Sequence, residues 1–389
     1  MSGGGGKFKN NFMYNSHDIT IWKEISYEKF LRTVFLTCVF SLLMSINSFA
    51  SHSVTNNSIY VSSQTCPQAV VDYVNDNIAS ALLCLTEDNF PAGHVYVGKP
   101  FTYSNSPSDM FLFPVYVNDT VEYVYRVSQF QGNISGTLST YLAQQLQEIS
   151  YLTSIETPAT FTITTDKLIA TIGNTDIEIS ELPEMFSEEP TISNSVNNLN
   201  LTSANTTINI SEPIISEVCA PIQTRAATSK SIPLTITETQ GNNNWCLAYA
   251  TAIIARYRGN TNCTAKTVMS YFYGSNPSTE ASLKEGQSVA YAHAIGLLNV
   301  TNSSSYLSQT SLKNYISDSS PVILCMSRPA TGSYHAVVLR GYNSSNWSIW
   351  NPWYKSYETF PIGGSYTARN GYVYMYNGVS NLGRTIFNW

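Results

Sequence analysis

The chain has 389 residues, which is enough for two domains, with 43% hydrophobic and only 12% charged residues. This composition supports a packed core and excludes a long, highly charged disordered chain. The net charge is −6 and lysines and arginines form no cluster, so we expect no nucleic-acid partner.

A short apolar segment near the N-terminus predicts secretion. Residues 33–46 form a mostly apolar run that follows Lys29 and Arg32, and Ser48–Ala50 places small residues at the −3 and −1 positions of a cleavage site. Signal peptides have this arrangement, so residues 1–50 are predicted to be a signal peptide with a long n-region. A single membrane anchor is the alternative, but the run is short for a bilayer span. We therefore expect an extracellular protein without membrane contact once the signal is removed.

Charge divides the remaining chain into two parts. Residues 51–225 contain 4 basic and 18 acidic residues, a net charge of −14, whereas residues 226–389 contain 11 basic and 5 acidic residues, a net charge of +6. Such asymmetry indicates two units with different roles. Between them, residues 184–230 are rich in Asn, Ser and Thr and predict an exposed linker with an activating cleavage near Arg225 or Lys230. Edge strands are the alternative, because residues 207–210 alternate in polarity.

The first unit, residues 51–183, has the pattern of a small α+β domain. Apolar spacing predicts helices and β-branched or aromatic runs predict strands. The predicted helices are 67–84 and 136–152, and the predicted strands are 94–103, 110–117, 121–128, 161–172 and 176–180, the last two joined as a hairpin across 173–174. Residues 60–180 of this unit contain one histidine, His94, and offer no catalytic set of residues.

The second unit, residues 231–389, carries residues with the chemistry of a nucleophilic enzyme. Cys246 immediately precedes a strongly apolar helical pattern, so it is predicted to lie at a helix N-terminus. The helix dipole and free amide groups there favour a thiolate, which is the reactive form of cysteine.

Three further residues complete the predicted site. His335 enters a buried strand pattern, and Asn351 follows another one 16 residues later, so the amide can orient the imidazole. A cysteine, a histidine base and a third orienting group form an activated nucleophile. Gln240 lies six residues before Cys246, where its amide can stabilise an oxyanion together with the Cys246 backbone N–H.

These residues resemble the papain-like cysteine peptidases, and most closely the staphopains, a family of secreted bacterial enzymes. The similarity rests on the runs Glu238–Cys246 and Ile349–Trp353, with His335 between them, and extends over about 230–389. By resemblance, Cys246 is the nucleophile, His335 the base, Asn351 the orienting residue and Gln240 the oxyanion donor. The positions after the nucleophile depart from the family, because Leu247–Ala248 stands where staphopains tend to have small residues.

The resemblance also implies an architecture and a mode of regulation. It implies a helical half and a β-barrel half with a peptide-binding cleft between them, in which Trp353 shields the Asn–His pair and Trp245 contacts substrate. Staphopains are zymogens, which implies that the acidic segment 51–183 is a prosegment that inhibits the enzyme. Its partners would be protein or peptide substrates, and no cofactor or metal is expected.

The sequence pattern supports the same two halves. Helical periodicity is found in the first half of the unit, and alternating or apolar strand patterns follow in the second. The predicted helices are 246–256, 264–273, 279–297 and 309–317, and the predicted strands are 322–327, 335–341, 347–351, 357–362 and 371–376.

Alternatives remain at this stage. The same fold also hosts acyltransferases, amidases and transglutaminases, and a secreted adhesin or inhibitor with a relic site is a further alternative. His293, on a predicted helix, is interpreted as structural. Six cysteines lie outside the signal segment, and Cys66–Cys84 and Cys263–Cys325 are possible disulfides, although spacing does not determine connectivity.

Overall fold

The computed structural model describes most of the chain beyond the predicted signal peptide. The described residues are 59–61, 65–103, 109–130, 133–164, 167–181, 207–209, 214–220, 229–327, 333–368, 373–375 and 383–389. Residues 57–389 form one compact unit. The predicted signal peptide and most of the predicted linker lie outside the described residues. None of the helices in the described part of the chain combines the length and hydropathy needed to span a membrane.

The fold is α+β, as predicted, with six helices and mostly antiparallel strands in the described residues. The helices are α1 (Gln68–Leu85), α2 (Ala143–Ser150), α3 (Cys246–Tyr257), α4 (Ala265–Tyr273), α5 (Glu285–Ala294) and α6 (Gln309–Ser317). The strands are β1 (Thr65–Pro67), β2 (Val95–Val97), β3 (Asp109–Val117), β4 (Thr120–Phe130), β5 (Asn133–Ser139), β6 (Ala159–Ile163), β7 (Lys167–Ile172), β8 (Thr175–Glu181), β9 (Thr207–Asn209), β10 (Lys230–Ser231), β11 (Thr301–Ser303), β12 (Val322–Ser327), β13 (Tyr334–Tyr342), β14 (Asn346–Trp350), β15 (Tyr357–Pro361), β16 (Ser365–Thr367), β17 (Val373–Met375) and β18 (Arg384–Phe387).

One large sheet runs through both parts of the chain. Its strand order in the described residues is β11-β18-β12-β13-β14-β15-β5-β4-β3-β2. The junction between the parts is antiparallel, with Glu358 opposite Ser139 and Thr359 opposite Leu138 on strands β15 and β5. The acidic first part thus continues the sheet of the second part, and backbone hydrogen bonds of the sheet cross the boundary between them.

The strands of the first part are buried on both faces. On β3, Phe111, Phe113 and Val115 face α1, because alternate side chains point to one side of a strand. The intervening Met110 and Leu112 pack with α2 and with the small sheet β6-β7-β8. Two apolar layers therefore cover the β2–β5 end of the large sheet.

Most helices and strands lie close to their predicted positions, but 136–152 was predicted wrongly as one helix. Residues 133–139 form β5, and the helix begins only at Ala143 after Leu142, which has a left-handed φ of 70°. Gly136 permits the close approach of β4, since a Cβ there would lie 2.6 Å from the ring of Tyr125. Pairing with β4 thus overrides the helical spacing of the leucines, a tertiary effect that local pattern cannot show.

Parts of the predicted linker belong to the folded unit. Strand β9 pairs with β1, which agrees with the edge-strand alternative for this stretch. Ile214 and Ile215 pack against the α1 core, Val218 is buried in it, and the Val97 N–H donates to the Ile215 carbonyl at 3.0 Å. The predicted cleavage site near Arg225 falls within residues 221–228, which lie outside the described residues.

The two suggested disulfides are absent. All six described cysteines are free thiols: Cys66, Cys84, Cys219, Cys246, Cys263 and Cys325. Cys84 instead donates to the Asn346 carbonyl, with 3.5 Å between sulfur and oxygen, and Cys263 contacts the Tyr291 hydroxyl at 3.3 Å. The sequence allowed these bridges without determining connectivity, and in the structure Cys84 and Cys263 contact other polar groups instead.

Candidate active site

Cys246 is the first residue of α3, as predicted. The residue before it, Trp245, makes no side-chain cap to the helix, so its side chain satisfies none of the first backbone N–H groups of α3. Backbone groups of Ala336, Leu247 and Cys246 itself stabilise the thiolate, but burial is the larger effect and raises the pKa of the Cys246 thiol. The helix start alone therefore does not activate this cysteine, and a base is required, as the sequence analysis expects.

His335 lies near the start of β13 and is 3% exposed. Its ring stacks on Trp353, with 3.8 Å between ring centroids and 17° between planes. Its Nε2 lies 2.8 Å from the Asn351 Oδ1, which is an acceptor, so Nε2 carries a proton in this contact. The other ring nitrogen, Nδ1, is then the one that can act as a base.

Asn351 follows the last residue of β14 and is completely buried. Its Oδ1 also accepts a hydrogen bond from the Trp353 backbone N–H at 3.1 Å, and its Nδ2 donates to the Tyr366 hydroxyl at 2.6 Å. A backbone N–H requires an acceptor, so this contact independently places the amide oxygen next to His335.

A cleft brings the predicted residues together. It has a volume of about 530 Å³, and the residues around it include Gln240, Cys246, Cys325, His335, Trp353 and Arg384. Asn351 lies behind His335. Trp245, predicted to contact substrate, is not among the described residues around the cleft; its indole N–H donates to the Ser278 carbonyl at 3.0 Å.

Gln240 lies at the cleft and beside the Asn351 segment. Its backbone N–H donates to the Pro352 carbonyl at 2.7 Å, and its Nε2 donates to the Asn243 carbonyl at 2.5 Å. The second Nε2 hydrogen is the one that could reach an oxyanion. Its Oε1 is buried without a hydrogen-bond partner. A buried carbonyl oxygen without a partner is costly.

Three residues next to the site were missed by sequence reasoning. Tyr366 donates its hydroxyl hydrogen to Glu358, and the Arg126 guanidinium pairs with the other oxygen of that carboxylate. Arg126 and Glu358 are 1% and 0% exposed. Burial raises the pKa of Glu358, and Arg126 opposes that effect. The available signal was charge, because Arg126 is a rare base in the acidic segment and Glu358 a rare acid in the basic one.

Comparison with known proteins finds a similar family. Residues 231–378 match the model of the Peptidase_C39 like family. This segment is therefore similar to cysteine peptidase-like domains, and residues 231–378 are called the peptidase-like domain below. A search of the curated proteins finds no match to the chain. The peptidase-like domain contains all four predicted site residues, and the match does not distinguish the staphopains from other cysteine peptidases.

Proposed function

We propose that the protein is a secreted, papain-like cysteine endopeptidase whose nucleophile is Cys246. The observation that carries the proposal is the hydrogen bond between His335 Nε2 and Asn351 Oδ1, with the imidazole and the thiol on the same cleft. A nucleophile, a base and a group that orients the base are the parts of an activated nucleophile.

Activation begins with transfer of the thiol proton to His335. Burial disfavours the thiolate, so an isolated Cys246 would stay protonated at neutral pH. With Nε2 already bonded to Asn351, Nδ1 accepts the proton, and the imidazolium then stabilises the thiolate. The start of α3 adds a favourable dipole.

The chemical step follows from these positions. The sulfur bonds to the substrate carbonyl carbon, and the C=O electron pair moves to the oxygen, where the Cys246 backbone N–H and the Gln240 amide would stabilise the negative charge. Losing one such donor typically costs about 10²–10³ in rate. His335 returns its proton to the leaving amine, which leaves a thioester. Water, deprotonated by His335, then hydrolyses that thioester to the acid and free thiol.

The first prediction concerns the nucleophile. A peptidyl epoxide should alkylate Cys246 alone, and Cys246→Ala should abolish hydrolysis of a denatured protein while the fold is retained. Cys325→Ala is the matched control, because Cys325 is a second thiol on the same cleft, and burial raises its pKa well above the ordinary value. We expect this control to keep its activity.

Mass spectrometry of the adduct and peptide release by each variant provide the measurements. Hydrolysis by Cys246→Ala would refute the assignment. Transfer of the acyl group to an added amine, in preference to water, would identify an acyltransferase or transglutaminase instead of a peptidase.

Secretion belongs to the same proposal, whereas zymogen regulation is a separate expectation. Both derive from the apolar segment at 33–46 and from the staphopain resemblance. In the described residues, the cleft is lined by side chains from 240 to 384, and none of them belongs to segment 51–183. Inhibition by segment 51–183 therefore stays a prediction, which a cleaved chain tests below.

A further inference from the structure

A buried polar chain connects the candidate active site with the acidic first part of the protein. It runs from His335 through Asn351, Tyr366 and Glu358 to Arg126. Arg126 lies on β4, and Glu358 is 232 residues away along the chain, on β15. Every member is buried. A buried network of this kind is expected to be strongly directional, because each donor needs its acceptor.

The charge at the far end of the polar chain sets the direction of the Tyr366 hydrogen bonds and adds to the effect of the Trp353 N–H, which also faces Asn351 Oδ1. An ionised carboxylate accepts only, so Tyr366 must donate its hydroxyl hydrogen to Glu358. The Tyr366 oxygen then accepts from Asn351 Nδ2, and Asn351 Oδ1 faces the proton on His335 Nε2. A protonated Glu358 could donate instead, which would remove this constraint. Arg126 opposes the effect of burial that favours protonation.

Arg126 is itself held for this contact. Its Nη1 donates to the Tyr354 hydroxyl at 3.3 Å, and its guanidinium carbon lies 5.5 Å and 5.8 Å from the ring centroids of Tyr354 and Tyr141. Buried arginine is rare in proteins unless it is paired. This arginine is provided by the segment that the staphopain resemblance treats as removable.

The same segment also holds the strand that carries Tyr366. Ser128 and Thr367 share a hydrogen bond of 2.7 Å, the Thr367 N–H donates to the Thr137 hydroxyl at 3.2 Å, and the Ser135 hydroxyl donates to the Ser365 carbonyl. These contacts lie on both sides of Tyr366 in β16. The first part of the chain therefore holds the strand that carries Tyr366 and supplies the cation that opposes protonation of its acceptor.

We propose that Arg126 is a positioning residue that, through Glu358, Tyr366 and Asn351, holds His335 in the tautomer with its proton on Nε2. The first part of the chain is then a permanent component of the active enzyme. The expected effect of Arg126 on kcat rests on the proposed peptidase function. The expected effect on the tautomer of His335 does not.

The kinetic test uses the full chain. Arg126→Met should lower kcat at least about tenfold, since a wrongly protonated catalytic histidine costs more than that in other hydrolases, and should leave KM within about twofold. Glu87→Gln is the matched control. Glu87 pairs with Arg340 across the same boundary, but it is 44% exposed and has no contact with the polar chain. We expect the control to retain the kcat of the wild-type chain.

Two double variants test the buried polar chain if the unpaired charge of Glu358 prevents the Arg126→Met variant from folding. Both Arg126→Met/Glu358→Gln and Arg126→Met/Glu358→Met remove both charges, but only glutamine keeps an acceptor for Tyr366. The glutamine variant should retain kcat within about threefold, and the methionine variant should lose at least about tenfold. Equal kcat values in the two variants would overturn the proposal, as would an unchanged kcat in folded Arg126→Met.

Histidine NMR provides a readout that needs no peptidase activity. In the Cys246→Ala background no thiolate holds a second proton on the ring, so neutral His335 should show its proton on Nε2. The glutamine double variant should keep this tautomer, and the methionine double variant should show a mixture of both. If the Nε2 tautomer persists in the methionine variant, the proposal about Arg126 is wrong, even if the protein is a peptidase. If the protein hydrolyses no peptides, the spectra still test the proposal, because they do not depend on activity.

Discussion

His335 is confined by a different group on each side. Trp353 covers one ring face, and Asn351 accepts from Nε2. Stacking restricts the rotation of the ring, and the hydrogen bond selects which nitrogen can serve as a base. Cys246 depends on that base, because its own environment disfavours the charged form. The pH dependence of Cys246 reactivity should therefore report on the pairing with His335.

His335→Gln should shift the alkylation of Cys246 to alkaline pH. Burial raises the pKa of this thiol above its ordinary value of 9.0, so without an imidazolium partner the thiolate forms only above about pH 9. In the wild-type chain the imidazolium offsets that penalty, and reaction begins at lower pH. The measurement is the rate at which iodoacetamide alkylates Cys246 at each pH. The modified protein is digested and the Cys246 peptide is quantified separately, because Cys219 is an exposed thiol that also reacts.

His293→Gln is the control for this experiment. His293 is the other histidine of the peptidase-like domain, and its Nε2 lies 2.8 Å from the Val300 carbonyl. This contact agrees with its interpretation as a structural residue. The control should show the wild-type pH profile, and an unshifted profile in His335→Gln would remove His335 from the site.

At the scale of elements, β15 and β16 connect the candidate site residues with the first part of the chain. Both strands contain a fully buried threonine, but the two hydroxyls differ in their partners. The Thr367 hydroxyl shares a hydrogen bond with Ser128, whereas the Thr359 hydroxyl has no hydrogen-bond partner. Replacing each threonine by valine therefore compares the loss of a hydrogen bond across the boundary with the removal of a buried hydroxyl that makes no hydrogen bond.

Thr367→Val should lower the free energy of unfolding by about 1–3 kcal/mol, because it leaves the buried Ser128 hydroxyl unpaired. Thr359→Val should be neutral or stabilising, because it removes an unpaired buried hydroxyl from a site of the same shape. Denaturant unfolding of the two variants measures the difference. Equal effects would show that the Ser128–Thr367 contact contributes nothing to the junction.

At the scale of the whole molecule, the two parts of opposite charge share one sheet and bury an ion pair between them. Breaking a buried pair by removing one partner typically costs about 3–5 kcal/mol, because the remaining charge is left uncompensated. Separation of the two parts would expose or isolate both Arg126 and Glu358. We therefore expect the parts to stay associated after the chain between them is cut.

A protease site introduced at 221–228 tests this expectation. After cleavage the two fragments should elute together from a sizing column at high salt, because buried contacts are screened little. Peptidase activity should be retained with the fragments together. Activity that rises as the acidic fragment dissociates would instead establish the inhibitory prosegment that the staphopain resemblance implies.

The residues of the candidate site and most elements could be predicted from the sequence. Cys246 before an apolar helix pattern and the segment around Asn351 are local signals, and the structure has α3 and β14 where these patterns place them. Local signals suffice there because chemistry requires particular residue types, and helices and strands bury side chains with fixed periods.

Only the tertiary structure decided how distant parts of the chain act on that site. Strand β5 formed where spacing predicted a helix, because β4 supplied a partner for its backbone. The six thiols remained unpaired, and Arg126 met Glu358 across 232 residues. Such pairings depend on which surfaces the folded chain brings together, and the cost of burying a charge is offset only once its partner is in place. No periodicity within a segment carries that information.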